Sequence, residues 1–212
     1  TVAAGQRSAS FAITGVQDTL IDPTETVIIA ATSPAHSGQT SLAVGVDDGA
    51  PIVGFAVASS SIAEDSGGSV VVDVDLRMPA GATGISAPLP VVIEDVSQFQ
   101  SAIPATSGND FTFSPASFSF PAGGPSTFQV TVTPVDDIVR EGSEEAVLGF
   151  GSGTLALQST FFQHIVTITD DEPLPQVSVA DTQVNEGNLG TDVQVDIAVT
   201  LDRVSAKSTQ VQ

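Results

Sequence analysis

The chain has 212 residues, 41% of them hydrophobic, with 25 acidic residues against 5 basic ones and a net charge of −20. That balance excludes nucleic acid and anionic membrane surfaces as partners, because both require a basic face. Cysteine is absent, which excludes disulfide stapling and thiol chemistry. No apolar run approaches the ~18 residues of a membrane span, so direct membrane insertion is not expected.

Taken in chain order, the opening TVAAGQRSAS lacks the charged and apolar regions of a signal peptide and starts in mid-pattern, as a fragment of something longer would. Residues 8–15, 25–32 and 40–46 then alternate as three strands. From residue 50 the period-two pattern continues through seven runs: IVGFAVAS, SVVVDVDL, PLPVVIEDV, FTFSPASFSF, TFQVTVTPV, EEAVLGFG and FFQHIVTIT. Val70, Val72, Val74 and Leu76 share one face, as do Phe128, Val130 and Val132. Glycine-rich turn signals separate the runs, including Gly67-Gly68, Gly123-Gly124 and Gly151-Ser152-Gly153. Two more strands follow at 176–184 and 191–201. No stretch shows a helical period. Short strands at this spacing predict an all-β fold, an immunoglobulin-like β-sandwich.

The chain also repeats itself. FAITGVQDTLIDPTETVII (11–29) matches VTVTPVDDIVREGSEEAVL (130–148), aligning Asp18 with Asp137, Asp22 with Glu141 and Glu25 with Glu144. SLAVGVDDGAP matches IVTITDDEPLP, aligning Asp48 with Asp171. SSIAEDSGGSVVVDVDL matches TQVNEGNLGTDVQVDIAVTL, aligning Glu64 with Glu186. The offsets fall between 119 and 123 residues. Residues 1–49 therefore read as the C-terminal part of one module, 50–174 as a complete module and 175–212 as the N-terminal part of a third. Pro51, Pro173 and Pro175 mark the junctions, where a residue without an N–H suits a strand boundary. Neither partial module can close a sandwich alone, so complementation by another chain is one expectation.

The acids gather at strand ends. Asp136, Asp137, Glu141 and Glu144 follow one strand, Asp170, Asp171 and Glu172 end the last, Glu64 follows the first, and Asp110 precedes Phe111. So many carboxylates in one place repel one another strongly unless a cation sits among them. Hard cations take about six to eight oxygens. The absence of Cys and of paired His excludes soft metals, and Mg²⁺ prefers octahedral sites with several waters, which leaves Ca²⁺ as the better fit. Asp73 and Asp75 alternate with valines and read as a solvated face, and Glu94 and Asp95 as edge protection. Single acids at strand ends also form turns.

VDDIVREGSEE (135–145), ITDDEP (168–173), AED (63–65) and NDF (109–111) together resemble the Calx-beta domain family, across nearly all of 50–174 and more weakly in both flanks. The resemblance implies Ca²⁺ ligation by Glu64, Asp110, Asp136, Asp137, Glu141, Glu144, Asp170, Asp171 and Glu172, with Asp137, Glu141, Asp170 and Asp171 foremost. Glu145 is assigned to the start of the next strand. Asn109-Asp110-Phe111 departs from the family's usual Asp-Tyr. The first module keeps Asp18, Asp22, Glu25, Asp47 and Asp48 as a weaker partial site, with Gln17 where the second has Asp136. The third keeps only Glu186.

Catalysis is not expected. His36 and His164 are the only histidines, no Gly-x-Ser-x-Gly elbow occurs, and the acids lack aromatic sugar platforms. The chain reads as a Ca²⁺-binding module of a secreted or cell-surface repeat array, with Ca²⁺ and neighbouring modules as partners. Binding next to Pro173-Leu174-Pro175 would stiffen the array for adhesion or spacing. A metal-free spacer and a Ca²⁺-sensing regulatory domain are the alternatives.

Overall fold

The computed structural model describes residues 1–16, 18–33, 40–152, 154, 161–190, 192–208 and 210. Its strands in chain order are β1 (Leu20–Ile21), β2 (Glu25–Ala31), β3 (Thr40–Val46), β4 (Ile52–Phe55), β5 (Ser59–Ala63), β6 (Val70–Arg77), β7 (Gly84–Ile85) and β8 (Leu89–Asp95). A short helix α1 (Ser97–Gln100) follows, then β9 (Phe111–Ser114), β10 (Ser117–Phe120), β11 (Thr127–Pro134), β12 (Glu144–Phe150), β13 (Gln163–Thr169), β14 (Val177–Val179) and β15 (Val199–Leu201). No helix among the described residues is long and apolar enough to cross a membrane.

Two sheets carry the fold. One has the order β10-β8-β12-β13-β5, the other β4-β6-β11-β9. All pairings within them are antiparallel except β5 with β13. Their facing sides form one apolar core. Val53, Phe55, Val72, Val74, Phe111, Val130 and Val132 come from the four-stranded sheet, and Val91, Ile93, Phe120, Leu148 and Val166 from the five-stranded one. Each such side chain contributes roughly 1.5–3 kcal/mol by leaving water. Without Trp or Tyr, stacked phenylalanines supply the bulk, with Phe55 on Phe150 at 4.6 Å and Phe118 on Phe128 at 4.1 Å between ring centroids. The β-sandwich expected from alternation is present.

Two of the seven expected runs are each two strands. IVGFAVAS divides into β4 and β5, and FTFSPASFSF into β9 and β10, with the halves lying in different sheets. A strand that bends can leave one sheet and continue in the other, which alternation alone does not reveal. At the first bend the backbone is held from outside the strand. His164 on β13 is buried, with Nδ1 bonded to the Val57 carbonyl at 2.9 Å and Nε2 to the Ser60 hydroxyl at 2.8 Å. His164 is thus a satisfied core residue. At the second bend Pro115 follows directly on β9, and its missing N–H ends that ladder. Helix α1 was not expected; four residues are too few to show a period, and Ser97 anchors it by accepting the Val147 N–H at 2.8 Å.

The flanks copy the registers of the sandwich. β2 pairs with β3 so that Glu25 faces Val46, and β12 with β13 so that Glu144 faces Ile168. β14 pairs with β15 so that Val177 faces Leu201, and β4 with β6 so that Val53 faces Leu76. What the flanks lack is a second layer. Val53 is fully buried while Val177 is 44% exposed, and Leu76 is 5% exposed against 39% for Leu201. The run at 8–15 forms no strand, and those at 176–184 and 191–201 shorten to three residues each. A strand needs a neighbour for its backbone groups, and none of the described residues supplies one there. Gln17 and His36 lie outside the described residues.

His164 yields a stability prediction. Burial holds its pKa below the ordinary histidine value of 6.5. The folded state therefore favours the neutral ring. This stabilisation is present above pH 6.5 and is lost as pH falls from there through the lower folded-state value. His164→Phe keeps the bulk but strands the Val57 carbonyl, and should cost about 1–3 kcal/mol at pH 8 by urea denaturation. The difference from the parent chain should shrink by pH 5. A constant difference would contradict the assignment.

Candidate metal centre

The acids converge at one end of the sandwich because the loops that carry them all leave strands there. Asp136 and Asp137 follow β11, Glu141 and Glu144 lead into β12, Asp170, Asp171 and Glu172 leave β13, and Glu64 opens a single 3-10 turn, Glu64–Ser66, after β5. Asp110 belongs to a turn before β9. Its own N–H and carbonyl bond to Thr106 and Val135, and its Oδ2 accepts the Thr106 N–H at 2.6 Å.

Asp170 organises these loops. Its Oδ2 accepts hydrogen bonds from the Arg140 guanidinium and the Gly142 N–H, and from the Glu141 N–H at 2.7 Å, while its Oδ1 accepts the Glu172 N–H at 2.9 Å. Its side chain is almost wholly buried. Burial raises its pKa, but the bonds from Gly142, Glu141, Arg140 and Glu172 outweigh that and hold it below the ordinary carboxylate value. Arg140 was not singled out in the sequence. A lone arginine in an acidic run is its only signal.

Three carboxylate groups result, each with oxygens within 4.8 Å of one another: Glu64, Asp170 and Glu172; Asp136, Asp171 and Glu172; and Asp110, Glu141 and Glu144. Glu172 belongs to two of them. Of the nine residues the sequence put forward, only Asp137 stands outside these groups among the described residues. Asp137 instead closes the loop, its Oδ1 accepting the Val139 N–H at 2.6 Å and its N–H donating to Glu64 Oε1 at 3.3 Å. Glu145 is engaged elsewhere, accepting the Ser101 hydroxyl at 2.6 Å.

The acids between residues 18 and 48 behave differently. Asp18 accepts the Leu20 N–H at 2.7 Å, Asp47 accepts the Gly49 N–H at 3.2 Å, and Asp48 accepts the Asp22 N–H at 3.3 Å. Among the described residues, no three of Asp18, Asp22, Glu25, Asp47 and Asp48 gather their oxygens in this way. The strand registers also shift one match. With Glu25 equivalent to Glu144, Val46 is equivalent to Ile168, so Asp48 corresponds to Asp170 and not to Asp171. The bond from Asp22 N–H to Asp48 repeats the one from Glu141 N–H to Asp170. Asp73 and Asp75 lie on the outer face of β6, accepting bonds from Gln129 and Thr127.

Crowding leaves its mark on protonation. Burial pushes Glu64 up to about 7; the Asp137 N–H opposes this, and the charges of Glu172, Asp137 and Asp170 add to it. Burial likewise pushes Glu144 up to about 7, with the Asp110 charge next in importance. Glu141 and Glu172 are raised from the same first cause. Two buried oxygens, Glu144 Oε2 and Glu172 Oε2, have no hydrogen-bond partner among the described residues. A buried carboxylate oxygen without a donor is costly, and a cation removes the cost. The residues therefore fit a hard divalent ion.

These shifts set a pH dependence. Glu64 and Glu144 bind protons more tightly folded than unfolded, so the metal-free fold loses stability as pH rises from about 4.5 to about 7. In chelator, Glu64→Gln/Glu144→Gln should flatten the fall of melting temperature over that window. An unchanged slope would show that these two groups do not set it.

No family model matches the chain, and no curated protein matches it. Among solved structures it is similar to the apo form of the Calx CBD1 domain, with TM-score 0.44 and 21% identity over 57% of this chain and 98% of that one. It is similar to the calcium binding domain CBD12 of CALX1.1, with TM-score 0.43 and 21% identity over 61% of this chain and 50% of that one. The Calx CBD2 domain gives TM-score 0.40 and 13% identity over 57% of this chain and 86% of that one.

Proposed function

We propose that residues 50–174 form a Ca²⁺-binding module of a tandem β-sandwich array, with 1–49 and 175–212 as parts of its neighbours. The observation that carries this is the convergence of eight carboxylates into three groups, two of them bridged by Glu172, with buried oxygens that no donor satisfies. Ca²⁺ takes about six to eight oxygens in flexible geometry, and carboxylates on four separate loops suit that better than the octahedral demand of Mg²⁺. Glu64, Asp170, Glu172, Asp136 and Asp171 would hold one cluster of ions, and Asp110, Glu141 and Glu144 a further one. The bound ions would neutralise the repulsion that raises the Glu64 and Glu144 pKa values.

The role is mechanical and non-catalytic. Asp171 and Glu172 stand directly before Pro173-Leu174-Pro175, so an ion there ties the chain leaving the module to the module's own loops. The lysine-poor composition rich in Gly, Ser, Thr and Val supports an extracellular or cell-surface setting, where such modules serve adhesion or spacing. The apolar faces of β2–β3 and β14–β15 are those that further strands, from this chain or another, would cover. One observation favours a metal-free spacer instead: Arg140 already places a positive charge on Asp170.

Calorimetric titration with Ca²⁺, alongside thermal melts, separates the two. Binding to the folded state alone stabilises by about 2.7 kcal/mol at a hundredfold excess over Kd. Glu172→Gln should weaken binding at least about tenfold, because it strips a charged ligand from two groups at once. Asp75→Asn, on β6 away from the loops, should leave affinity unchanged. No heat and no shift in melting temperature at millimolar Ca²⁺ would establish the spacer reading.

A further inference from the structure

The loop that carries acids in each module has a second set of contacts, and these run to the module that follows. In the first module, β1 lies parallel to β7, with Leu20 opposite Gly84 and Ile21 opposite Ile85. The Thr83 N–H donates to the Thr19 carbonyl at 2.6 Å and the Ser86 N–H to the Ile21 carbonyl at 3.0 Å. The hydroxyls of Thr83 and Ser86 reach the same two carbonyls, each at 3.1 Å. Ile21 is 6% exposed and joins the sandwich core beside Ile85. Gly84 lies in contact with the Leu20 side chain, where a Cβ would stand 3.4 Å from Leu20 Cδ2, an ordinary van der Waals distance.

In the second module the equivalent residue is Arg140, and it too makes a parallel bridge, to Ser205. The Ala206 N–H donates to the Arg140 carbonyl at 3.0 Å, as Ser86 does to Ile21, and the Arg140 N–H to the Val204 carbonyl at 3.4 Å. The turn leading in is the same: Asp18 accepts from Leu20, Asp137 from Val139. The side chains differ. Arg140 turns back to Asp170 and places nothing apolar on its neighbour, and Val204, where the first joint has Gly84, is exposed.

We propose that this loop is the inter-module strap of the array: loop 18–22 locks onto segment 83–86 through the buried Ile21 without any cation, while loop 137–141 makes the same backbone contact with 204–206 as a weaker, polar joint. The partner surface is thus a short edge segment of the next module, two residues long in its ladder. An apolar anchor buried at a parallel bridge shields its hydrogen bonds from water; the second joint has instead the Ser205 hydroxyl donating to the Arg140 carbonyl at 3.4 Å, and a polar bridge of this kind stays open to solvent exchange. The inference rests on the tandem reading of the chain but not on Ca²⁺ occupancy.

Amide hydrogen exchange on the full 212-residue chain in chelator tests it, so its failure is separate from that of the calorimetric titration. Thr83 and Ser86 should exchange at least about a hundredfold more slowly than free peptide, and Ala206 at least about tenfold faster than Ser86. Ile21→Ser should speed Thr83 and Ser86 at least about tenfold while the ladder amides of β12 and β13 keep their rates. If Ile21→Ser unfolds the chain, the comparison of Ser86 with Ala206 in the parent protein still decides. Free-peptide rates at Thr83 and Ser86 in the folded parent chain, equal rates at Ser86 and Ala206, or indifference of Thr83 and Ser86 to Ile21→Ser would each overturn the proposal.

Discussion

The Asp170 carboxylate gathers the N–H groups of Glu141, Gly142 and Glu172 and the guanidinium of Arg140 around itself. That single group fixes the loop before β12 against the end of β13. Once it is fixed, Glu141 and Glu144 must face Asp110, and Glu172 must face Glu64. A carboxylate held by several donors stays ionised and stays put. Its neighbours are held by fewer donors, Glu64 by the Asp137 N–H and Asp110 by the Thr106 N–H, and Glu64 and Glu144 carry the electrostatic strain of the cluster. The same few residues thus divide into one that builds the cluster and several whose charges it leaves crowded.

The sandwich supplies the rigidity on which this depends. Loops can hold like charges together only if the strands beneath them resist splaying. Here β12 and β13 are central strands of the five-stranded sheet, paired on both sides. The flanking hairpin β2–β3 has the same register but no further strand beside it among the described residues, where no three of its acids gather their oxygens. Comparing Asp170 with Asp48 shows the effect directly. Asp170 accepts the Glu141 N–H at 2.7 Å beside the sandwich, and Asp48 the Asp22 N–H at 3.3 Å beside the hairpin.

On the proposed tandem reading, the joints add a second consequence. A loop whose acids point to its own module and whose backbone points to the next can serve both cohesion and linkage. One substitution, Ile21 against Arg140, changes which of the two its side chain favours. An isoleucine adds its surface to the neighbour's core; an arginine, always charged, keeps to the acids of its own module.

Much of this was legible in the chain itself. Period-two alternation placed Val72, Val74, Leu76, Val130 and Val132 inside, because side chains of a strand must alternate between faces. The acids at strand ends were visible as a set, since loops leaving one end of a sandwich must meet. Tertiary structure decided the rest. It alone showed that IVGFAVAS and FTFSPASFSF each cross between sheets, because a bend leaves alternation unbroken. It moved Asp137 out of the carboxylate groups and brought Arg140 in, because hydrogen bonding among loops depends on distances that residue order does not encode. It paired Asp48 with Asp170 through strand register, where alignment of like residues had chosen Asp171. And it buried Ile21 beside Ile85 in the core of the sandwich, a contact between residues more than sixty positions apart that only the folded chain brings together.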